Sequence, residues 1–316
     1  MKFTKEHFIN FITEKYRKLT LRNVEQHFYG PNKLNPLRRW TGPLRLLPNF
    51  IIIGAQRSGT ATLFQTLNRH PNFFRPIGRE SNYFLLFYIY GRNKAWYKVF
   101  FPSVFYKYFI KYIRKRDFIT GESTPYYLFH PLAPERIYKM LPNCKMIALL
   151  RNPVDRAYSQ YIMNKRKGRE KLSFEEVIET EKIRLEGVVD KILSDENYYS
   201  RKHQHYSYLL RGIYIDQIKN WHKYYPKEQL LIIKSEDLYN SPAVVLKRVL
   251  EFLNQPTKPI NKIINKDNKK KIHLHKEVYP KMKPETRKRL TEYFRPYNEA
   301  LYKYLTVNFN WEDNSK

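Results

Sequence analysis

Three short apolar runs, each followed by a segment with helical spacing, dominate the middle of the chain. Asn49–Gly54 (NFIIIG) is a continuous apolar stretch closed by a glycine, the pattern of a strand buried on both faces. Thr60–Arg69 follows with Leu63, Phe64 and Leu67 on one helical face. Lys145–Leu150 is the second run and leads through Pro153 into a helix carrying Tyr158 and Met163. Gln229–Ile233 is the third and leads into a helix around Val244–Leu253. Strands that alternate with helices predict a parallel sheet covered on both faces. The expected fold class is therefore α/β: a P-loop-like three-layer fold with a central parallel sheet flanked by helices, plus helical insertions. The insertions are Phe84–Tyr112 and Glu181–Tyr208, long basic and aromatic stretches expected to border an acceptor cleft. Pro280–Trp311 is expected to be helical and to close the domain. No fixed-period repeat is present.

Residues 1–47 read as an appendage to a domain spanning 48–312, with 313–316 as a tail. Phe8, Phe11, Ile12, Tyr16 and Leu19 recur at helical spacing among Lys5, Lys15, Arg17 and Lys18. That helix either packs on its own domain or lies on an anionic membrane surface, giving a peripheral association through residues 1–24. The Pro- and Gly-rich GPNKLNPLRRWTGPLRLLP after it reads as an extended connector. No run of apolar residues is long enough for a membrane span, and the first residues lack a signal-peptide core, so a cytoplasmic location is the expectation.

Charge changes the picture more than hydropathy does. Lys and Arg number 59 against 29 acidic residues, a formal net charge of +30. Compositional bias is one explanation; attraction to an anionic partner is the other. The single cysteine, Cys144, excludes an intrachain disulfide and sits beside an apolar run, as a buried structural thiol would. His130, before Pro131, reads as a turn or packing residue.

Gly54-Ala-Gln-Arg-Ser-Gly59-Thr60 has the spacing of a phosphate-binding loop between a strand and a helix. Such a turn aims backbone N–H groups at an anion, and the helix N-terminus adds a favourable dipole. Thr60 stands where a nucleoside-triphosphatase has Lys, and the cation moves inside the loop to Arg57. No strand ends in a clear Mg²⁺-holding Asp, so a metal-free donor with a phosphoryl-type anhydride fits better than a triphosphate with Mg²⁺. Arg151 falls at the carboxyl end of the second strand, where α/β folds bind ligands, with Ser159 on the next helix. Together they can clamp a second phosphate. A P-loop kinase would share the loop but need the metal. A nucleic-acid binder would use the charge, yet its basic residues are dispersed and no recognised motif is present, so no nucleic-acid partner is expected.

These motifs resemble the sulfotransferase superfamily, in particular the heparan-sulfate-type sulfotransferase domains and their bacterial relatives, which use the donor PAPS (3′-phosphoadenosine 5′-phosphosulfate). GAQRSGTATL resembles the 5′-phosphosulfate loop and LLRNPVDRAYSQY (149–161) the 3′-phosphate motif. GRESNYF (78–84) resembles the segment with the catalytic glutamate, here Glu80, and GESTPYYLFHP (121–131) a strand-end motif lining the acceptor site. LLRGIYIDQIKNW (209–221) and QLLIIKSEDL (229–238) follow in family order, and HKEVYP (275–280) stands where a basic loop closes over the donor. The resemblance implies in-line sulfuryl transfer without a metal, with Glu80 as base and Arg57 stabilising the leaving phosphate. The alternative for Glu80 is an ion pair with Arg79 or Arg57.

It further implies that Arg57, Ser58, Gly59, Thr60, Ala61 and Thr62 hold the 5′-phosphate, Arg151 and Ser159 the 3′-phosphate, and His275, Lys276 and Tyr279 the lid. Glu122 and Arg211 are assigned to the acceptor side; Glu122 reads equally well as a ligand of its own loop. The implied acceptor is a carbohydrate or other polar molecule, and Lys266, Lys269, Lys270 and Lys271 crowd one loop where they could steer it. Three departures from the family pattern stand out. Arg57 and Ser123 replace lysines usual in heparan-acting members, and His275-Lys276-Glu277 replaces a Lys-Gly-Arg-like run. Arginine keeps the charge of lysine but does not readily give up a proton.

Overall fold

The computed structural model describes residues 36–85, 94–264 and 281–312. The amphipathic segment 1–24, the lysine-rich run from Lys266 to Lys271, the lid residues His275, Lys276 and Tyr279, and the tail 313–316 lie outside them.

Four parallel strands form one sheet in the order β2-β1-β3-β4: β1 (Phe50–Gly54), β2 (Gly121–Ser123), β3 (Lys145–Leu150) and β4 (Leu230–Lys234). Phe50 faces Gly121 on one side and Lys145 on the other, and Met146 faces Leu230. Three strands match the three apolar runs. β2 is only three residues long, too short for a periodic signal, and it takes its place by pairing with β1.

Alternation along the strands sorts the core into two layers. Ile51, Ile53, Met146, Ala148 and Leu150 belong to one. Phe50, Ile52, Ile147, Leu149 and Ile233 belong to the other. Helices of the described residues include α1 (Thr60–Leu67), α2 (Ala133–Met140), α3 (Pro153–Arg166), α4 (Tyr214–His222), α5 (Pro242–Phe252) and α6 (Pro284–Leu305). The first face receives Ile137 of α2, Ala157 of α3, Trp221 of α4 and Phe294 of α6. The second receives Leu63 and Leu67 of α1 and Val249 of α5. Each large apolar side chain fully removed from water contributes roughly 1.5–3 kcal/mol, so two-sided burial holds the strands where a one-sided face would not.

Local chemistry fixes the helix that matters most for the site. Asn152 caps α3, its side-chain oxygen accepting from the amides of Val154 (3.0 Å) and Asp155 (3.4 Å), and Pro153 starts the first turn. Asn152 also donates to the carbonyl of Trp311 (3.0 Å), tying the chain end to the carboxyl edge of β3.

The segment expected to be an extended connector is mostly helical over residues 36–44 and docked through Arg38 and Arg45. Pro36–Trp40 is a short helix and Gly42–Leu44 a 3-10 turn. Arg38 donates to the carbonyls of Val99 (3.2 Å) and Phe101 (3.1 Å), and Arg45 to Phe101 (3.1 Å). These guanidiniums supply partners for loop carbonyls that would otherwise need water, which is why a Pro-rich stretch lies down here. The insertions are broken into short helices, among them Lys94–Lys98, Val104–Tyr108, Val188–Ser194 and Arg201–Tyr206. The closing helix stops at Leu305, and Phe309 and Trp311 pack back against Tyr302. Cys144 is buried, and burial pushes its thiol well above its usual range.

Gly54 closes β1 where nothing larger fits: an added Cβ would sit 2.5 Å from Cβ of Leu128 and 3.1 Å from the carbonyl oxygen of Pro125. Gly54→Ala is expected to destabilise the fold by roughly 1–3 kcal/mol, read as a lower midpoint in a urea melt. An unchanged midpoint would show that this close approach is not a constraint.

Candidate active site

The carboxyl end of β1 opens into a tight loop. The amide of Ala55 donates to the carbonyl of Leu149 on β3 (2.8 Å) and that of Ser58 to Ala55 (3.2 Å). Arg57 (φ 71°) and Gly59 (φ 82°) both lie in the left-handed region. At Gly59 a side chain would also stand 2.9 Å from the Tyr239 hydroxyl. Arg57 occupies that region with a full side chain, a cost usually retained where function needs it. From the far end of the sheet, Ser235 just after β4 donates its hydroxyl to the carbonyl of Ser58 (2.9 Å).

Gly59 is the N-cap of α1 and brings no side-chain acceptor, so first-turn amides at Thr60, Ala61 and Thr62 have no side-chain cap. Ser58 is fully buried with its hydroxyl oxygen unpartnered. Thr60 and Thr62 are buried and Ala61 half-buried. A glycine-capped helix start and an orphaned hydroxyl suit an anion.

Arg151 and Ser159, about a hundred residues away in sequence, meet this loop directly. Arg57 Nε donates to Ser159 Oγ at 2.9 Å, and Arg151 Nη1 donates to the Arg57 carbonyl at 3.2 Å. The Tyr214 hydroxyl holds the Arg151 carbonyl (2.9 Å). Two guanidiniums and a serine hydroxyl thus share one edge of the loop, at the carboxyl ends of β1 and β3.

Behind the loop the charges are internal. Arg211 is 1% exposed; its guanidinium bonds to the Gln56 side chain and to the carbonyls of His203 (3.1 Å) and Gln204 (2.9 Å). It lies over the rings of Tyr126 (5.0 Å) and Phe129 (4.8 Å), and burial lowers its pKa to about 9. Expected on the acceptor side, Arg211 is buried and braces the glycine loop through Gln56, while its Nε has no hydrogen-bond partner. His130 is buried edge-on to Tyr126, a packing position.

Glu122 is buried as well. It is 1% exposed, and its carboxylate accepts from the Ser81 amide (3.0 Å), the Thr124 hydroxyl (2.9 Å) and the Tyr97 hydroxyl (2.5 Å). Burial raises its pKa, outweighing the pull of the Ser81, Tyr97 and Thr124 donors. It holds its neighbouring loop, the second of its two readings. On the other side of Glu80, the Ser123 amide donates to the Arg79 carbonyl (2.9 Å). The peptide units flanking Glu80 are therefore both fastened to the end of β2.

Glu80 itself is partly exposed and ion-paired with Arg79. It lines a cavity of ≈ 440 Å³ together with Gln65 and Asn68 of α1, Arg75, Arg79 and Phe100. Asn68 Oδ1 and Arg79 Nε are buried there without a partner. Gln65, Asn68 and Arg75 were not singled out from sequence. Gln65 and Asn68 do show a signal, a polar pair at i, i+3 on the helix that leaves the phosphate loop, whereas Arg75 shows none.

The sequence pattern of the sulfotransferase domain family matches residues 47–307. A membrane-associated sulfotransferase, kil1, of Dictyostelium discoideum is 28% identical, covering 90% of this chain and 70% of that protein. The human heparan sulfate glucosamine 3-O-sulfotransferase 3B1 is 29% identical over 84% of this chain, and the chain spans 65% of that protein's length. Among solved structures, a sulfotransferase from Alicyclobacillus acidocaldarius superposes with a TM-score of 0.61 at 26% identity, over 84% of this chain and 99% of that one.

The Glu122 carboxyl gives a pH test. Its folded pKa is raised, so folding favours the protonated form, and its contribution is full below the ordinary carboxylate range. It is lost as pH rises through the raised value. The stability advantage of the wild type over Glu122→Gln should therefore shrink across that interval in urea melts at stepped pH. An advantage that grows with pH would reverse the assignment.

Proposed function

This chain belongs to the sulfotransferase domain family, and we propose that it transfers the sulfuryl group of PAPS to a hydroxyl or amine of a carbohydrate acceptor. The observation that carries the donor assignment is the junction of Arg57, Arg151 and Ser159. A nucleotide with one phosphate beside the loop amides and another beside Arg151 and Ser159 matches that arrangement. A nucleotide lacking a 3′-phosphate leaves the second cluster unused.

PAPS supplies the sulfuryl group joined to its 5′-phosphate. Glu80 takes the proton from the acceptor hydroxyl as the acceptor oxygen forms its bond to sulfur. The sulfur–oxygen bond to the 5′-phosphate breaks, and the bisphosphate PAP leaves with the bonding pair. Arg57 and the first-turn amides of α1 stabilise the charge that develops on the departing phosphate oxygen. An arginine does so without handing over a proton. Charge stabilisation and alignment thus do most of the work, as in phosphoryl transfer. The ion pair between Arg79 and Glu80 orients the base until the acceptor arrives.

The groove supports this acceptor class. Gln65 and Asn68 offer amide groups for sugar hydroxyls, Phe100 an apolar face, and Arg75 and Arg79 cations for a carboxylate or sulfate on a neighbouring sugar. A net charge of +30 adds long-range attraction for such an acceptor. Ser123, where heparan-acting members often carry a lysine, directs the proposal to an anionic glycan rather than to heparan in particular.

Calorimetry without added metal should find micromolar-range PAP binding, much weaker ADP binding, and loss of the PAP preference in Arg151→Ala. Equal affinity for PAP and ADP would remove the 3′-phosphate site. Glu80→Gln should keep PAP binding while turnover falls by roughly 10²–10⁴-fold, the usual range for a lost general base. Turnover near wild type in that variant would assign the base elsewhere.

A further inference from the structure

A short rod stands out from the domain beside the acceptor groove. Val104–Tyr108 is α-helical and Phe109–Ile113 continues it as a π-helical turn. Only Ile110 turns inward to the core. Phe105, Tyr106, Tyr108, Phe109, Tyr112 and Ile113 are all exposed, Phe105 at 67% and Ile113 at 68%. An apolar patch of this extent is uncommon on a surface that meets only water.

The polar residues between them are all of one sign. Lys107 and Lys111 lie among the rings, Arg114, Lys115 and Arg116 follow Ile113 directly, and no acidic residue occurs from Val104 to Arg116. Two cations lie over exposed rings, Lys111 over Tyr112 (5.7 Å) and Arg114 over Phe109 (5.8 Å), while Tyr108 and Tyr112 stack on one another (5.6 Å). The rod is anchored at its base: Ser103 caps it by accepting from the Tyr106 amide (3.2 Å). Phe74 meets Tyr106 edge-on (5.5 Å) and stacks on Phe118 (4.1 Å).

These features select one kind of partner. A second copy of the chain would set five cations against five, in molecules that each carry +30. A single nucleic-acid strand needs open ring faces, but Tyr108 and Tyr112 cover each other, and Ile113, the most exposed of the rod's apolar side chains, has no ring. An anionic bilayer meets both demands. Aromatic and aliphatic side chains enter the headgroup boundary, and Lys and Arg stems run alongside them to reach the phosphates.

We propose that Val104–Arg116 is a peripheral docking surface for an anionic phospholipid bilayer, distinct from the amphipathic segment 1–24. Phe74 joins this surface directly to Arg75 of the groove. A docked enzyme therefore holds the groove beside the lipid surface, where a membrane-borne glycan is within reach.

The full chain is tested by co-sedimentation with vesicles of phosphatidylcholine alone and of an equal mixture with phosphatidylglycerol. Binding is expected only to the anionic vesicles. A cation near such a surface accounts for roughly fivefold in affinity, so Lys107→Ala/Lys111→Ala/Arg114→Ala should lose on the order of a hundredfold. Phe105→Ser/Phe109→Ser/Ile113→Ser removes only exposed side chains and should lose vesicle binding with an unchanged thermal midpoint. A direct readout uses Ile113→Cys carrying an environment-sensitive fluorophore, since the native Cys144 is buried. Its emission should rise and shift to the blue on the anionic vesicles. Wild-type vesicle binding in both triple variants, or co-sedimentation without any change in the probe, would overturn the proposal. So would a serine variant that keeps its vesicle binding but loses binding to a single-stranded oligonucleotide, which would make the rod a nucleic-acid surface.

Discussion

A parallel sheet buried on both faces offers its backbone to solvent at only one functional place, the carboxyl ends of its strands. In this protein each of the four ends contributes a separate part. β1 ends in the loop with Arg57 and the glycine-capped helix. β3 ends at Arg151, and β4 at Ser235, which pins the loop from behind. β2, the shortest, ends where Glu122 and Ser123 fasten the peptides on either side of Glu80. The glycine-capped loop and Glu80 are thus positioned by neighbouring strands, β1 and β2, so their relative placement inherits the stiffness of the sheet.

The charges that support this edge are of two kinds. Arg57, Arg79, Glu80 and Arg151 keep partial access to solvent, as groups that must meet a ligand do. Glu122, Arg156, Glu181 and Arg211 are buried. Glu181 accepts the amides of Tyr208, Leu209 and Leu210, and Arg156 bonds to Gln160 (2.8 Å) and to the Tyr208 carbonyl. Burying a charge is costly unless its hydrogen bonds are met. Here the partners are mostly backbone groups of irregular segments, so the buried charges hold loops that the sheet alone could not order.

The outer surface extends the same economy of position. The groove that starts at Glu80 runs past Arg79 and Arg75 and reaches the aromatic rod through Phe74. Cations recur along that path, where an extended anionic partner would meet them. At physiological salt, charges more than about 8 Å apart in solvent are largely screened from one another. Local density of charge along the groove and rod therefore matters more to such a partner than the total over the chain.

Wherever the signal is periodic or local, the chain could be read in advance. β1, β3 and β4 announce themselves as apolar runs because both their faces are buried, and the phosphate loop shows in glycine spacing because its turn demands a left-handed residue at Gly59. Tertiary structure decided the rest. β2 has three residues and exists because β1 offers an edge. Arg57, Arg151 and Ser159 are legible as separate candidates, but only folding brings the first within hydrogen-bonding reach of the other two. Arg211 was expected on the acceptor side and Glu122 read equally as an acceptor contact or a loop ligand, because a charged letter in a sequence carries no record of its exposure. Whether a charge meets a ligand or braces a loop depends on which segments close over it, and those segments come from distant parts of the chain.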